Sequence, residues 1–396
     1  MGCEKPLSQN KDGRRSIHYI SDPTLGASGR TVVGRFHVAS MTNPDTPKSI
    51  EVGRRRIRAG EKRQFRYDAV TTYHGDVVEI PVTVINGHRG GPSVFLTAAI
   101  HGDELNGIKI VQEVAETYEP RDLSGRLVCL HVVNVPGFLS GERYVPIDGE
   151  DLNRSFPGQA NGGTGKRLAH TIYHEFIDRC DVGLDFHTST RGRTTMYHVR
   201  ADMQDPGVAR VAQAVGTNVI LDGPGMEGTL RSVASAAGIP TVTIEMGRAH
   251  RFESVHIDRG KHCVGSVLAE FDMIEDRPVA WPGWRRIVGR GAEKRWIRAE
   301  TGGLVTREWG SDPLVEADDV LFRITDHFSE HEETVRAPFT GLVIGALESG
   351  VAYPGHPLCH FVRVDAETAE IIREDIDRGA FERYHAGGFQ LARLDE

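Results

Sequence analysis

Residues 93–107 read SVFLTAAIHGDELNG, and the change of character at His101 decides the fold. Residues 93–100 form a short, unbroken apolar run, which suits a strand buried on both faces. The next four residues are polar or small. Leu105, Ile108, Val111, Val114 and Ala115 then fall on one side of a helix that stops near Pro120. Strand followed by helix is the opening of an α/β arrangement.

Outward from this stretch the pattern repeats. Residues 77–85 alternate as a strand does, and the turn from Gly87 to Pro92 separates them from the apolar run. Residues 127–133 read as another buried strand, 166–179 as a helix and 182–186 as a strand. Further candidates alternate at 194–199, 208–215, 218–221, 230–237 and 241–246, with a closing helix near 255–273. This predicts an α/β domain over residues 51–280, with a mostly parallel central sheet flanked by helices. Residues 1–50 are polar and turn-rich and read as an N-terminal extension. After Pro278, Trp281-Pro282-Gly283-Trp284 reads as a linker. Short β-like pieces at 303–306, 320–324, 335–344 and 357–364 predict a small all-β module over 290–396, with a short helix at 368–377. The basic stretch 54–66 reads as an exposed strand–turn–strand edge with Gly60-Glu61 as its turn.

Composition bounds the function. The chain has 396 residues, of which 39% are hydrophobic and 26% charged, ordinary values for a folded protein of two domains. Its 47 basic and 55 acidic side chains leave a net charge of −8, which argues against a nucleic-acid partner. No apolar run reaches the roughly 18–20 residues of a membrane span. Five scattered cysteines without a CxxC pair fit neither a disulfide framework nor a cysteine zinc site, and the expectation is a cytoplasmic protein, with a homo-oligomer possible.

Chemistry collects where predicted strands end. His101 and Glu104 stand three apart just past residue 100, His187 follows the strand at 182–186, and Glu245 falls where 241–246 runs out. Open α/β sheets bind ligands in the crevice beyond such ends. Two histidines and a glutamate are a ligand set for catalytic zinc, and Glu245 remains as a carboxylate able to take a proton from water. A lone HxxE in a chain with 18 histidines is weak evidence; the coincidence of four residues at strand ends is stronger. The loop 143–158 carries Arg143, Asn153 and Arg154, whose donors suit a carboxylate, although pairing with Asp148, Glu150 or Asp151 on the surface is an equal reading. His170 and His174 lie four apart, but Thr171 stands where an HExxH zinc motif needs glutamate. The pieces around Pro338 and His356 resemble a lipoyl- or biotinyl-carrier hairpin. No lysine follows Lys294, so covalent carriage there is excluded and the module reads as a wall over the active site.

HGDE at 101–104, DLNRSFPG at 151–158, DFHT at 185–188 and IEMG at 244–247, in that order, resemble the succinylglutamate desuccinylase/aspartoacylase family of zinc carboxypeptidase-like hydrolases. The likeness covers about residues 75–365, including a C-terminal β domain. AAIHGDELNG and NVPGFLSGERY are closer to a branch outside the aspartoacylases and succinylglutamate desuccinylases proper. The resemblance implies a zinc ion on His101, Glu104 and His187, with Glu245 as general base. It implies Arg143 as the oxyanion partner, and Asn153 and Arg154 on the substrate carboxylate. Arg231 would be a further substrate-facing arginine, although its distance to Glu245 differs from the aspartoacylase pattern. Asp185 shares a strand face with His187 and is placed to orient it or to pair with an arginine. The expected activity is zinc-dependent deacylation of a small N-acylated amino acid or related compound carrying a carboxylate. The alternatives are a metallocarboxypeptidase acting on short peptides and a non-catalytic binding or scaffold protein.

Overall fold

The computed structural model describes residues 48–275, 286–288, 291–348, 350–385 and 388–391, except residue 191. Residues 1–47 of the expected extension, and the linker at 281–284, lie outside the described residues.

Strands β1 (Ile50–Val52) and β2 (Arg55–Ile57) pair with each other. β3 (Glu61–Thr71) and β4 (Val77–Asn86) form an antiparallel pair, and β5 (Arg89–Ala98) leads to α1 (Asn106–Thr117). β6 (Ser124–Leu130), α2 (Val135–Ser140) and α3 (Thr164–Ile172) follow, α3 being continued by a π-helical turn at Tyr173–Ile177. Next come β7 (Val182–Ser189), β8 (Arg193–Ala201), α4 (Pro206–Val215) and β9 (Val219–Asp222). α5 (Leu230–Ala236), β10 (Thr241–Arg248) and α6 (Ser254–Glu270) complete this part.

The order β6-β5-β7-β10 is parallel throughout. On one flank β4 and β3 run antiparallel; on the other β8 runs antiparallel to β10, with β9 parallel to β8. The sheet is therefore mixed, which corrects the expectation of a mostly parallel one. The physical reason lies in short connections. The chain reverses between β3 and β4 within residues 72–76, too few for the crossover that a parallel pair needs. It reverses again after β7 within residues 190–192, and β10 later enters between β7 and β8. Buried runs look alike in sequence whichever way they point.

Alternation along β5 makes three layers. Val94, Leu96 and Ala98 pack with α1, α4 and α6, while Phe95 on the opposite face joins Leu168, Ile172 and Leu230 of α3 and α5. Each fully buried Val, Leu, Ile or Phe among them is worth about 1.5–3 kcal/mol of apolar transfer. The buried stripe of α1 is Ile110, Val111, Val114 and Ala115, whereas Leu105 and Ile108 are only partly covered, because the helix begins at Asn106. Strand β3 is the sheet's outer strand, and its exposed Arg63, Gln64 and Arg66 keep that edge charged and polar. The turn at Gly60 exists (φ +76°), but β2 pairs with β1 rather than folding onto β3, unlike the expected hairpin.

Beyond α6 the chain adds β11 (Arg286–Val288), β12 (Lys294–Arg298), β13 (Gly303–Arg307) and β14 (Leu314–Val315). β15 (Val320–Thr325), β16 (Glu332–Arg336), β17 (Gly341–Leu347), β18 (Gly350–Ala352) and β19 (Pro357–Arg363) follow. α7 (Ala366–Asp377), β20 (Glu382–His385) and β21 (Gly388–Leu391) come last. A four-stranded antiparallel sheet, β16-β15-β13-β18, packs here, and α7 makes this region less than purely β. The run predicted at 335–344 is two strands, since Pro338 falls in the bend between β16 and β17 and has no N–H for a ladder. Strand β17 pairs with β8 through Thr195, Thr194 and Arg193, so the main sheet continues β10-β8-β17-β19-β12 into the C-terminal part. No helix among the described residues is long and apolar enough to cross a membrane. Cys129, Cys180, Cys263 and Cys359 are buried and free, and burial pushes the Cys129 thiol up to about 12.

Candidate active site

Strand β5 hands its chain to the site through a strained step. Ala99 sits at φ +54°, a left-handed conformation that costs a residue with a Cβ about 1–2 kcal/mol, and Ile100 returns to the core before His101 begins the HGDE turn. Gly102 lies against α2 so closely that a Cβ would stand 2.0 Å from the Gly137 carbonyl carbon, which leaves glycine as the residue that fits. One strand over, β7 carries His187, and on the next strand Glu245 of β10 is its register partner, so both point to the same side of the sheet.

The first three residues meet. His101 Nδ1 lies 2.7 Å from Glu104 Oε1, and His187 Nδ1 lies 2.9 Å from Glu104 Oε2. The two histidine Nδ1 atoms are 3.2 Å apart, and all three side chains are buried. Burial works against the charged form of Glu104, yet His101 and His187 hold its carboxyl well below the ordinary carboxylate range. For His187 burial opposes charge, and Asp185 and Glu104 overcome it and raise the imidazole well above its usual value. Two imidazole nitrogens facing each other and a carboxylate form a donor set that a divalent cation satisfies, with no competing cysteine; the residues fit zinc. Asp185 Oδ2 lies 2.8 Å from His187 Nε2 and accepts at Oδ1 from the Thr97 hydroxyl, the outer bond that fixes a ligating ring's tautomer and angle.

Around this cluster stands the arginine loop. Arg143 Nη1 donates to Glu104 Oε1 at 3.3 Å, and Nη2 lies 3.5 Å from Asp151 Oδ2. Arg143 thus touches both an expected metal ligand and a neighbour from its own loop. Asp151 also reaches His101 Nε2 at 3.3 Å; burial opposes its ionisation, but His101, Arg143 and Arg154 hold it well below the usual range. Asn153 Oδ1 accepts from Leu230 N at 2.9 Å at the start of α5, and Arg154 folds back onto the Asn153 carbonyl. His101, Glu104, His187, Glu245, Arg143, Asn153, Arg154 and Arg231 all line one cavity of about 770 Å³.

That shared cavity unites motifs spread over 145 residues of sequence, from His101 to Glu245, and residues 90–271 match the succinylglutamate desuccinylase/aspartoacylase catalytic domain. The family likeness thus rests on residues 90–271, the stretch that carries the site. The chain is 38% identical over 115 residues to the N-alpha-acetyl-L-2,4-diaminobutyric acid deacetylase of Halomonas elongata, a match spanning 29% of this chain and a third (33%) of that protein. It is 25% identical to the succinylglutamate desuccinylase of Pseudomonas paraeruginosa over 312 residues, 72% of this chain and 82% of that one. Among solved structures, a succinylglutamate desuccinylase/aspartoacylase from Rhodobacter sphaeroides superposes with TM-score 0.68 at 25% identity, covering 77% of this chain and 95% of that chain. The product-bound ectoine utilization protein EutE of Ruegeria pomeroyi has TM-score 0.70 over 82% of this chain and 100% of that one; at 23% identity it shares the fold.

In this cavity Arg231 was singled out from sequence, whereas Arg200 and the C-terminal wall were not. Arg200 of β8 donates through Nε to Glu245 Oε1 at 2.9 Å. Arg231 is buried, donates to the Gly223 carbonyl, and is pushed down to about 10 by burial and then by Arg200. The opposite wall comes from the C-terminal strands: Lys294, Trp296 and Arg298 of β12, with Pro357 and His360 of β19. Alternation in β8 places His198 and Arg200 on one face, which was the available signal; nothing in the local sequence said which strand would lie beside it. His170 and His174 do not line the cavity, and His174 pairs with Asp178 on its own helix.

Proposed function

We propose that this chain is a zinc-dependent amidohydrolase that removes a small acyl group from an N-acylated amino acid or related compound. The observation that carries this reading is the convergence of His101, Glu104 and His187 with Glu245 in register one strand away. When bound there, zinc supplies a Lewis acid that activates water and polarises a carbonyl. Glu245 accepts the proton of the attacking water and delivers it to the departing amine nitrogen. Arg143 donates to the carbonyl oxygen as negative charge develops on it, its own charge sustained by Glu104 and Asp151. Asn153, whose Oδ1 is engaged by Leu230 N, keeps its NH₂ for a substrate carboxylate, and Arg154 adds a guanidinium fork. Held at that end, the amide is fixed against the reacting groups. Asp185 keeps His187 oriented through each turnover.

The deacetylase and desuccinylase names of the relatives support amide cleavage, and the wall that Trp296, Pro357 and His360 add to the cavity supports a small substrate over a peptide. On this reading residues 51–280 carry the chemistry and 290–396 bound the substrate's size. The test is Glu245→Gln in the zinc-loaded protein. Zinc content stays near wild type, while hydrolysis of N-acyl amino acids, followed by amine release, falls about 10²–10⁴-fold. Turnover that survives the substitution removes Glu245 as the base.

A further inference from the structure

Gly247 of the IEMG motif does not line the cavity, yet it stands two residues from Glu245. Up to Glu245, strand β10 pairs without a break with β7, and Glu245 itself lies opposite His198 of β8. Directly beyond it both ladders slip. The next partners are Gly247 with Thr195 and Arg248 with Ser189, and Gly247 turns to φ +74°. Such a bulge re-aims the side chain beside it, and here that side chain is Glu245. Residues that slip out of register need holding from outside the ladder.

Glu253, the residue before α6, holds them. Its Oε2 accepts from Arg248 N at 2.8 Å and from Asn106 Nδ2 at 3.2 Å, and its Oε1 accepts from Arg248 Nε at 2.9 Å. Asn106 Oδ1 accepts in return from Glu253 N at 2.9 Å, and Asn106 Nδ2 also reaches the Met246 carbonyl at 3.4 Å. A Cβ on Gly247 would stand 2.1 Å from Glu253 Oε2, so the glycine makes room for the carboxylate. Asn106 opens α1 two residues after Glu104 and is fully buried. One carboxylate thus fastens the turn that carries Glu104 to the strand end that carries Glu245. On its outer side, Arg248 Nη1 donates at 2.9 Å to Oε1 of Glu348, just past β17 in the C-terminal part. The Arg248, Glu253 and Glu348 side chains are 13%, 11% and 22% exposed, so water competes little for these bonds. None of Asn106, Arg248, Glu253 and Glu348 lines the cavity.

We propose that Glu253 is a positioning residue: bonded to Asn106 on one side and to Arg248 on the other, it sets the spacing between Glu104 and Glu245, and Arg248 extends the strut to Glu348. It touches no reacting atom and acts through the aim of Glu245. A misplacement of about 1 Å in such a pair costs on the order of 100-fold in rate. The kinetic half rests on the amidohydrolase reading; the strut itself does not.

The experiment uses the zinc-loaded full chain in two arms. In the first, hydrogen–deuterium exchange read by mass spectrometry compares Glu253→Ala with wild type. Peptides covering 101–108 and 245–250 both exchange at least about tenfold faster in the variant, while 124–130 of β6 is unchanged. Faster exchange at 245–250 alone overturns the tie between the two segments, and no change in either overturns the strut. If thermal melting shows Glu253→Ala unfolded, Asn106→Ala and Glu253→Gln carry the same comparison. In the second arm, hydrolysis of N-acyl amino acids is measured. Glu253→Ala lowers kcat about 10–100-fold, with KM within about threefold and zinc content near wild type. Glu253→Gln, which keeps an acceptor for Arg248 N, recovers part of the loss. In a Glu245→Gln background the same substitution changes kcat by less than about twofold, because the group it aims is gone. A loss read only in KM, or an undiminished loss in that background, overturns the positioning role. Glu348→Ala moves both arms the same way by a smaller factor, and no movement there overturns the extension to the C-terminal part. If the exchange result holds and wild type hydrolyses no N-acyl amino acid, the amidohydrolase reading falls and the strut stands.

Discussion

The two sides of the cavity are built on opposite electrostatic plans. On the side of β5 and β7, two imidazoles and a carboxylate are buried within hydrogen-bond distance of one another, an arrangement made for a cation. On the side of β8, α5 and the C-terminal strands, Arg200, Arg231 and Lys294 line the wall and concentrate positive charge there. Glu245 stands at the seam, in register with His187 and ion-paired with Arg200. The first side is the more buried, with His101, Glu104 and His187 only 1–3% exposed, whereas the side chains of Arg200 and Glu245 are 33% and 18% exposed.

That contrast breaks most sharply at His187. His187→Ala leaves the remaining donors unable to retain zinc through dialysis, and both metal content and hydrolysis are lost together; metal analysis of the dialysed variant checks this, and a zinc-replete, active variant would erase the distinction between the sides. Next in size, Leu96→Ala in the core strand beneath the metal side lowers unfolding free energy by about 2–5 kcal/mol, measured by urea titration. Asp185→Asn keeps the fold but loosens His187, weakening zinc by about 10–100-fold in competition with a chelator. Smallest is Asp205→Ala, which removes the acceptor for Gly207 N and Val208 N at the start of α4. It costs about 1 kcal/mol of stability and leaves zinc affinity unchanged, a baseline against which the other three are read.

The same contrast explains what was legible in sequence. His101, Glu104, His187 and Glu245 could be picked out because each lies where an apolar run ends, and strand ends are visible in one dimension. That β5, β6, β7 and β10 are buried strands was readable for the same reason, but their order and direction were not. Arg200 was not: its importance arises because β8 runs back beside β10 with His198 opposite Glu245, a pairing set by the insertion of β10 between two strands adjacent in sequence. His360 lies 115 residues from Glu245 and meets the cavity only through the β17–β19–β12 ladder. Asn153 was assigned to substrate, and half of its amide serves the start of α5 instead, a local bond that no motif announces.

Strand β8 has one edge divided between two partners: Thr195, Thr194 and Arg193 pair with β17, while His198 to Ala201 pair with β9. The C-terminal strands are therefore stitched to the catalytic sheet by main-chain amides, reinforced where Arg193 grips the Pro357 carbonyl and Tyr197 N donates to Glu382. Such a join sets β17 in fixed register against β8, and a chain cut short before β12 would carry a naked row of amides and carbonyls along half of β8, a template for self-association.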